Sequence, residues 1–174
     1  KYMLTVGTLQ PRKNIDRLVL AFSKLKTDCQ LVIAGDHGWK CDHIYKMVDD
    51  LRLRDRVKFV GYIADDDLPA AYSGAQLFVY PSYLEGFGLP PLEAMACGTV
   101  VAVARASSLP EVVGDAGFYF NPFDVDDMAC ALHRASTDEP LRIEMAYKGL
   151  QMARKFTWRR TAEGMLEIFQ DLTR

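Results

Sequence analysis

Apolar positions along this chain switch repeatedly between two patterns. Short runs rich in β-branched and aromatic residues, such as "MLTV", "QLVIA" and "QLFVY", are continuous rather than alternating. That is the pattern of strands buried on both faces. It predicts strands at Met3–Val6, Gln30–Ala34, Val57–Val60, Gln76–Tyr80 and Thr99–Ala104, with a short one at Phe118–Phe120. Between them the period lengthens to that of a helix. In "NIDRLVLAFSKLK" the residues Ile15, Leu18, Val19, Phe22 and Leu25 share one face, and Asn14 stands where an N-cap belongs. "CDHIYKMVDDLRL" repeats the arrangement with Ile44, Met47, Val48 and Leu51. "DDDLPAAYSGA" opens with Asp65, Asp66 and Asp67, acids that suit a helix N-terminus better than a metal site. "PLEAMA" predicts a further helix, and the tail predicts three more at 125–136, 140–155 and 161–172. The last carries an apolar stripe through Met165, Leu166 and Phe169, expected to leave a patch exposed.

Strands alternating with helices specify an α/β fold: a doubly wound, Rossmann-like parallel sheet of about six strands with helices on both faces and right-handed crossovers. No repeat, low-complexity stretch or linker interrupts the order, so residues 1–174 are expected to form one unit. Ligands of such sheets bind outside the carboxyl ends of the strands. The candidate loops are therefore 7–14, 35–40, 61–65, 81–91 and 105–109.

Composition narrows the partners. Hydrophobic residues at 49% and charged residues at 25% exclude wholesale disorder. A net charge of -2 gives no reason to expect nucleic-acid binding. No apolar run approaches a bilayer span and no signal peptide opens the chain, so a cytoplasmic location is expected, with no transmembrane segment. Cys29, Cys41, Cys97 and Cys130 form no C-x-x-C pair and read as reduced thiols, three of them in apolar surroundings. His37, Cys41 and His43 match no standard zinc spacing, so no metal is expected. Lys1 leads straight into a strand, which predicts a chain that begins mid-protein.

Two loops carry candidate chemistry. In "GTLQPRKN", Gly7 permits close backbone approach after a strand, and Arg12 with Lys13 places two cations beside a helix start. Phosphate is the natural partner, although the loop is neither a Walker A sequence nor a dinucleotide fingerprint. Solvated surface is the plainer alternative for two such cations. In "PSYLEGFGLPPLEAMACG", Gly86 and Gly88 free the backbone, and Pro90 with Pro91 fit the first turn of a helix whose N–H groups point into the loop. Glu93, read as a first-turn residue, can accept hydrogen bonds from a vicinal diol such as a ribose, and Glu85 can do so for a sugar beyond the phosphates. The alternative makes Glu93 a favourable first-turn acid and Glu85 a surface residue.

The Glu85/Glu93 pair inside "PSYLEGFGLPPLEAMACGTVV" resembles the motif of retaining glycosyltransferases of family four, which have the GT-B architecture. "VGTLQPRKN", "LVIAGDHGW", "RVKFVGYIADDDLPAAY" and "ASSLPEVVGDAG" stand in the family's order and spacing. What the chain resembles is the C-terminal, nucleotide-sugar half of a GT-B enzyme, without the N-terminal acceptor domain. The resemblance implies that Glu93 binds the donor ribose and Glu85 the transferred sugar. Lys13 and Arg12 would neutralise the diphosphate beside Gly7 and Thr8, and the N–H groups of Phe87, Gly88 and Leu89 would support sugar and phosphates. Tyr62 and Ile63 would lie near the base. Many members carry Arg where this chain has Thr8, which points to Arg12 as its replacement. His37 and Trp39 would either shape the sugar end or pack as loop residues.

The implied reaction is metal-independent transfer of a hexose from a GDP-sugar or UDP-sugar, with retention, to a saccharide or lipid-linked acceptor. A mannosyltransferase-like subgroup is the nearest in overall look, and the whole enzyme would be cytoplasmic or membrane-associated through the missing domain. This half alone would bind donor without transferring. A non-catalytic nucleotide-sugar-binding module, or a GT-B epimerase or phosphorylase, are the alternatives.

Overall fold

The computed structural model describes residues 1–173. Six strands form one sheet: β1 (Tyr2–Val6), β2 (Gln30–Ala34), β3 (Val57–Gly61), β4 (Leu77–Tyr80), β5 (Val101–Ala104) and β6 (Gly117–Phe120). All pairings are parallel, in the order β3-β2-β1-β4-β5-β6. The chain therefore winds outward from β1 to one edge, returns to the centre at β4 and winds to the other. β1 and β4 lie side by side, with Met3 opposite Leu77 and Leu4 opposite Phe78. A crevice opens above their carboxyl ends, where the winding direction reverses.

The described residues form eight α-helices: α1 (Ile15–Ser23), α2 (Asp42–Asp50), α3 (Leu68–Gly74), α4 (Leu89–Ala96), α5 (Leu109–Val113), α6 (Val125–Thr137), α7 (Glu139–Ala153) and α8 (Trp158–Leu172). α1 packs against α2 and α6, whereas α4 packs against α3, α5 and α7, giving one layer on each face. Residues of β4 and β5 are all buried, which explains why their sequences show no polar alternation.

Several boundaries differ from those the pattern predicts. α5 was not expected, since "LPEVV" is too short to show a period. α8 starts at Trp158 rather than residue 161, because the Thr157 hydroxyl accepts from the Arg160 N–H and caps it. Asn14 does stand at the N-cap position of α1, where its carbonyl accepts from the Leu18 N–H at 3.2 Å, but it sits in the left-handed region at φ 58 and its side chain makes no capping bond. Its Nδ2 donates instead to the carbonyls of Pro81 (3.1 Å) and Pro122 (2.7 Å), tying the loops after β4 and β6 to the start of α1. Asp67 likewise stands at the N-cap position of α3 without a side-chain capping bond, and Asp65 accepts from the Tyr62 hydroxyl at 3.1 Å.

Of the four free cysteines, Cys29 and Cys41 are buried, Cys97 is half-buried and Cys130 is exposed. No described helix is long and apolar enough to cross a membrane. α8 has no buried residue, and its apolar stripe is wider than the three expected residues, with Trp158, Ile168 and Leu172 also exposed.

Candidate active site

The loops following β1, β2 and β3 form one ledge at the carboxyl edge of the sheet. Backbone bonds run from Gly7 N–H to Ala34 (2.8 Å), Leu9 N–H to Asp36 (3.0 Å) and Gly35 N–H to Gly61 (2.8 Å). Gly35 has φ +139, and a Cβ there would lie 2.2 Å from the Gly7 carbonyl oxygen, so only glycine fits. Lys13 ends a 3-10 turn at Pro11–Lys13 and folds back over Gly7, where a Cβ would come within 3.2 Å of Lys13 Cε.

Lys13, Arg12 and Glu85 meet in one cluster. Glu85 Oε1 accepts from Lys13 Nζ, Arg12 Nη1 and the Ser82 hydroxyl, each at 2.7 Å. The Tyr80 hydroxyl interacts with the same carboxylate. Lys13 Nζ also donates to the Tyr80 hydroxyl at 2.6 Å and lies 4.8 Å from the centre of the Tyr80 ring. The side chains of Lys13 and Glu85 are only 11% and 12% exposed, against 38% for Arg12, so this is a largely buried pair with a wetter third member. Burial lowers the Lys13 pKa, and its hydrogen bond to Glu85 opposes that shift. Burial alone would raise Glu85, but hydrogen bonds from Lys13 and Ser82 and the Lys13 charge outweigh it, holding the carboxyl below the usual value. The reading of Glu85 as a surface residue fails here: its carboxylate is the hub that two cations share.

Glu93 occupies a different position in its helix from that expected. α4 begins at Leu89, which makes Glu93 its fifth residue, outside the first turn. Charge at the helix end therefore does not explain it. Its Oε2 accepts from the buried Tyr72 hydroxyl at 2.9 Å. Tyr72, Phe78 and Tyr80 follow one another in ring contact, 5.3 Å and then 5.9 Å between centres, so a column of aromatic rings runs beneath the two acids.

Pro90 and Pro91 change the anion-binding capacity of α4. Lacking N–H groups, they remove two of the donors a helix start normally offers. What remains are Phe87, Gly88 and Leu89, for whose N–H groups no acceptor is recorded among the described residues. Gly88 has φ +111, and a Cβ there would meet Leu109 at 2.9 Å. This segment is clamped from the loop after β5: Ser107 Oγ donates to Glu85 O (2.7 Å) and accepts from Glu85 N–H (3.2 Å), while Ser108 Oγ donates to Phe87 O (2.6 Å).

The remaining candidates sit on the same edge with looser ties. Thr8 is half-buried, with its methyl group against Gly38. Tyr62 is exposed and Ile63 half-buried just after β3. His37 Nε2 pairs with Asp42 Oδ1 at 3.0 Å and stacks on Tyr45, whereas Trp39 is exposed. His37, Cys41 and Asp42 bring potential ligand atoms within 4.8 Å of one another; His43 is not in that group. Ser82, Tyr80, Tyr72, Ser107 and Ser108 were missed by sequence reasoning. For Tyr80, Ser82, Ser107 and Ser108 the signal was placement at a strand end or within a loop already marked as a candidate; Tyr72, inside α3, carried none.

Residues 1–152 match the family model for glycosyl transferases group 1. O-antigen chain mannosyltransferase B of Escherichia coli is 40% identical over 161 residues, covering 90% of this chain and 42% of that protein. A D-inositol 3-phosphate glycosyltransferase of Salinispora arenicola is 35% identical over 177 residues, 94% of this chain and 40% of that protein. Among solved structures, a sucrose-phosphate synthase from Thermosynechococcus elongatus superposes with a TM-score of 0.90 at 32% identity, over 99% of this chain and 45% of its own. The chain thus spans less than half the length of these relatives. Anabaena HepE, solved with UDP and glucose, shares the fold at a TM-score of 0.89 and 24% identity, over 98% of this chain and 48% of its own. The sequence match over most of its length and the sheet order together identify the chain as a member of the glycosyl transferases group 1 family.

Proposed function

We propose that this chain is the donor-binding half of a retaining glycosyltransferase and that its crevice holds a nucleoside diphosphate sugar. The observation that carries the reading is the convergence of Lys13 and Arg12 on one oxygen of Glu85, beside the unengaged N–H groups of Gly88 and Leu89. Cations and N–H dipoles fixed together at the switch point of the sheet suit a diphosphate. In this reading the Glu85 carboxylate meets sugar hydroxyls through Oε2, the oxygen that Lys13, Arg12 and Ser82 do not take, Glu93 takes the ribose, and Tyr62 with Ile63 borders the base. Relatives named as mannosyltransferases favour mannose as the sugar, carried on GDP ahead of UDP. A preceding acceptor domain would bring a saccharide or lipid-linked acceptor to the opposite wall.

Breaking the anomeric carbon–oxygen bond leaves a diphosphate that gains negative charge. Lys13, Arg12 and the two N–H groups stabilise that charge from fixed positions, and loss of one such donor costs about 10²–10³ in rate at comparable sites. The cations do the work a metal ion would otherwise do. Glu85 Oε1 is occupied by three donors, which reduces its nucleophilicity and favours a positioning role on the sugar over covalent attack. A donor phosphate oxygen would then take the acceptor proton on the face the diphosphate leaves.

Calorimetric titration with GDP, UDP and ADP, followed by the matching sugar nucleotides, tests this. One nucleotide should bind saturably and bind tighter with its sugar. Lys13→Ala and Glu93→Ala should each weaken it by about 1.5–3 kcal/mol, the worth of a charged hydrogen bond. Unchanged affinity in both variants would remove the site from these loops.

A further inference from the structure

We infer that Tyr72 is a positioning residue that sets the selectivity of the site for ribose hydroxyls by fixing the carboxylate of Glu93. The inference rests on the donor-binding reading above and assigns a part to a residue remote from any substrate. Tyr72 lies on α3 and is 1% exposed, so it cannot itself reach a ligand in the crevice. Glu93 lies on α4 and is exposed, an orientation in which a free carboxylate would rotate among several rotamers. One bond restricts that freedom: the Tyr72 hydroxyl donates to Glu93 Oε2 at 2.9 Å.

The donor is itself locked. Thr99 Oγ1 donates to the Tyr72 carbonyl at 2.7 Å, and the Tyr72 ring meets Phe78 edge-on at 5.3 Å. Burial first, and the Glu93 charge second, raise the phenol's pKa far above its usual value. The proton therefore stays on Tyr72, which acts only as a donor towards the carboxylate. With one lone pair of Oε2 taken, rotation of the carboxylate is restricted, and Oε1 plus the remaining lone pair of Oε2 are left for a ligand. Two adjacent acceptors so restricted match two adjacent hydroxyls; a freely rotating carboxylate would give up part of that energy as lost entropy.

The test is Tyr72→Phe, which removes one oxygen and keeps the ring against Phe78. Binding is measured by calorimetry for whichever of GDP, UDP and ADP the wild-type chain takes, and for its 2′,3′-dideoxy counterpart. The ribonucleotide should weaken by about tenfold in Y72F, the scale of a hydrogen bond to a charged group that water partly replaces. The dideoxynucleotide should change by less than about twofold, since its sugar offers Glu93 nothing. In a Glu93→Ala background, Y72F should have no further effect on the ribonucleotide. Equal losses for both nucleotides, a loss that persists without Glu93, or no loss at all would each overturn the assignment while leaving the donor reading intact. Failure of wild type to bind any of the three nucleotides would overturn both.

Discussion

Replacing Glu85 by alanine should destabilise the fold well beyond the loss of three surface bonds. The substitution strips Lys13 of its counter-charge where its side chain is 11% exposed, leaving only the Tyr80 hydroxyl at 2.6 Å and the ring face at 4.8 Å. Two unit charges 2.7 Å apart attract by about 6 kcal/mol at an effective dielectric constant near 20. Desolvation of both groups offsets part of this, and Lys13 can relieve the remainder by losing its proton, since burial already lowers its pKa. Breaking one side of a buried pair then costs about 2–4 kcal/mol, somewhat under the range for fully buried pairs. For a chain of this size that is a fall in Tm of roughly 5–12 °C.

Urea unfolding at neutral pH of wild type, E85A, K13M and the double variant measures it. In the double variant no unpaired buried ammonium remains, because Arg12 is 38% exposed and can hydrate. E85A/K13M should therefore be more stable than the sum of the single changes predicts, by at least about 1 kcal/mol. If E85A lies within about 0.5 kcal/mol of wild type, or the two changes simply add, the cluster is not the buried pair described here.

The same group governs acid stability. Glu85 releases its proton more readily in the folded state, so the stability it contributes is complete above the ordinary carboxyl value of about 4.5 and is lost as pH falls through the lower folded value. Denaturation curves for Glu85→Gln should accordingly be flatter than those of wild type over that acid window, and a parallel slope would contradict it. Two glycines offer a contrast within the site. Gly35→Ala drives a Cβ to 2.2 Å from the Gly7 carbonyl oxygen at φ +139, and should cost more than about 2 kcal/mol in thermal or urea unfolding. Gly86→Ala meets nothing within 4 Å and should change stability by less than about 0.5 kcal/mol.

The strands were legible from short apolar runs bounded by turn residues, and all six expected strands lie in the sheet, although only β4 and β5 are buried throughout and the edge strand β3 leaves Val60 exposed. Helix starts were less legible, because a residue fit to cap is also fit to bond elsewhere. Asn14 reads as a cap in sequence, yet two carbonyls from loops 67 and 108 residues away claim its amide. α8 shows the other limit: its stripe announces an apolar face, but periodicity says nothing about what such a face meets, and here no described residue buries it.

At the site, charge at strand ends was enough to single out Arg12, Lys13, Glu85 and Glu93. Their pairing was not legible, because it depends on a loop 72 residues away in sequence coming to rest on the turn that bears Lys13. That pairing alters what the cations can contribute. Lys13 has three N–H groups, of which Glu85 and Tyr80 take two, and Arg12 has five, of which Nη1 alone serves Glu85 and the Leu84 carbonyl. Donors therefore remain for a phosphate without any existing bond being broken. Glu85 also opposes the pull of burial that would discharge Lys13. Removing Glu85 would weaken leaving-group stabilisation even if its carboxylate never touched the anomeric carbon. A large loss of transfer in an E85A enzyme is thus expected on electrostatic grounds alone and does not identify Glu85 as a nucleophile. The distinguishing observation is a trapped glycosyl–Glu85 adduct, which covalent catalysis requires and the positioning role excludes.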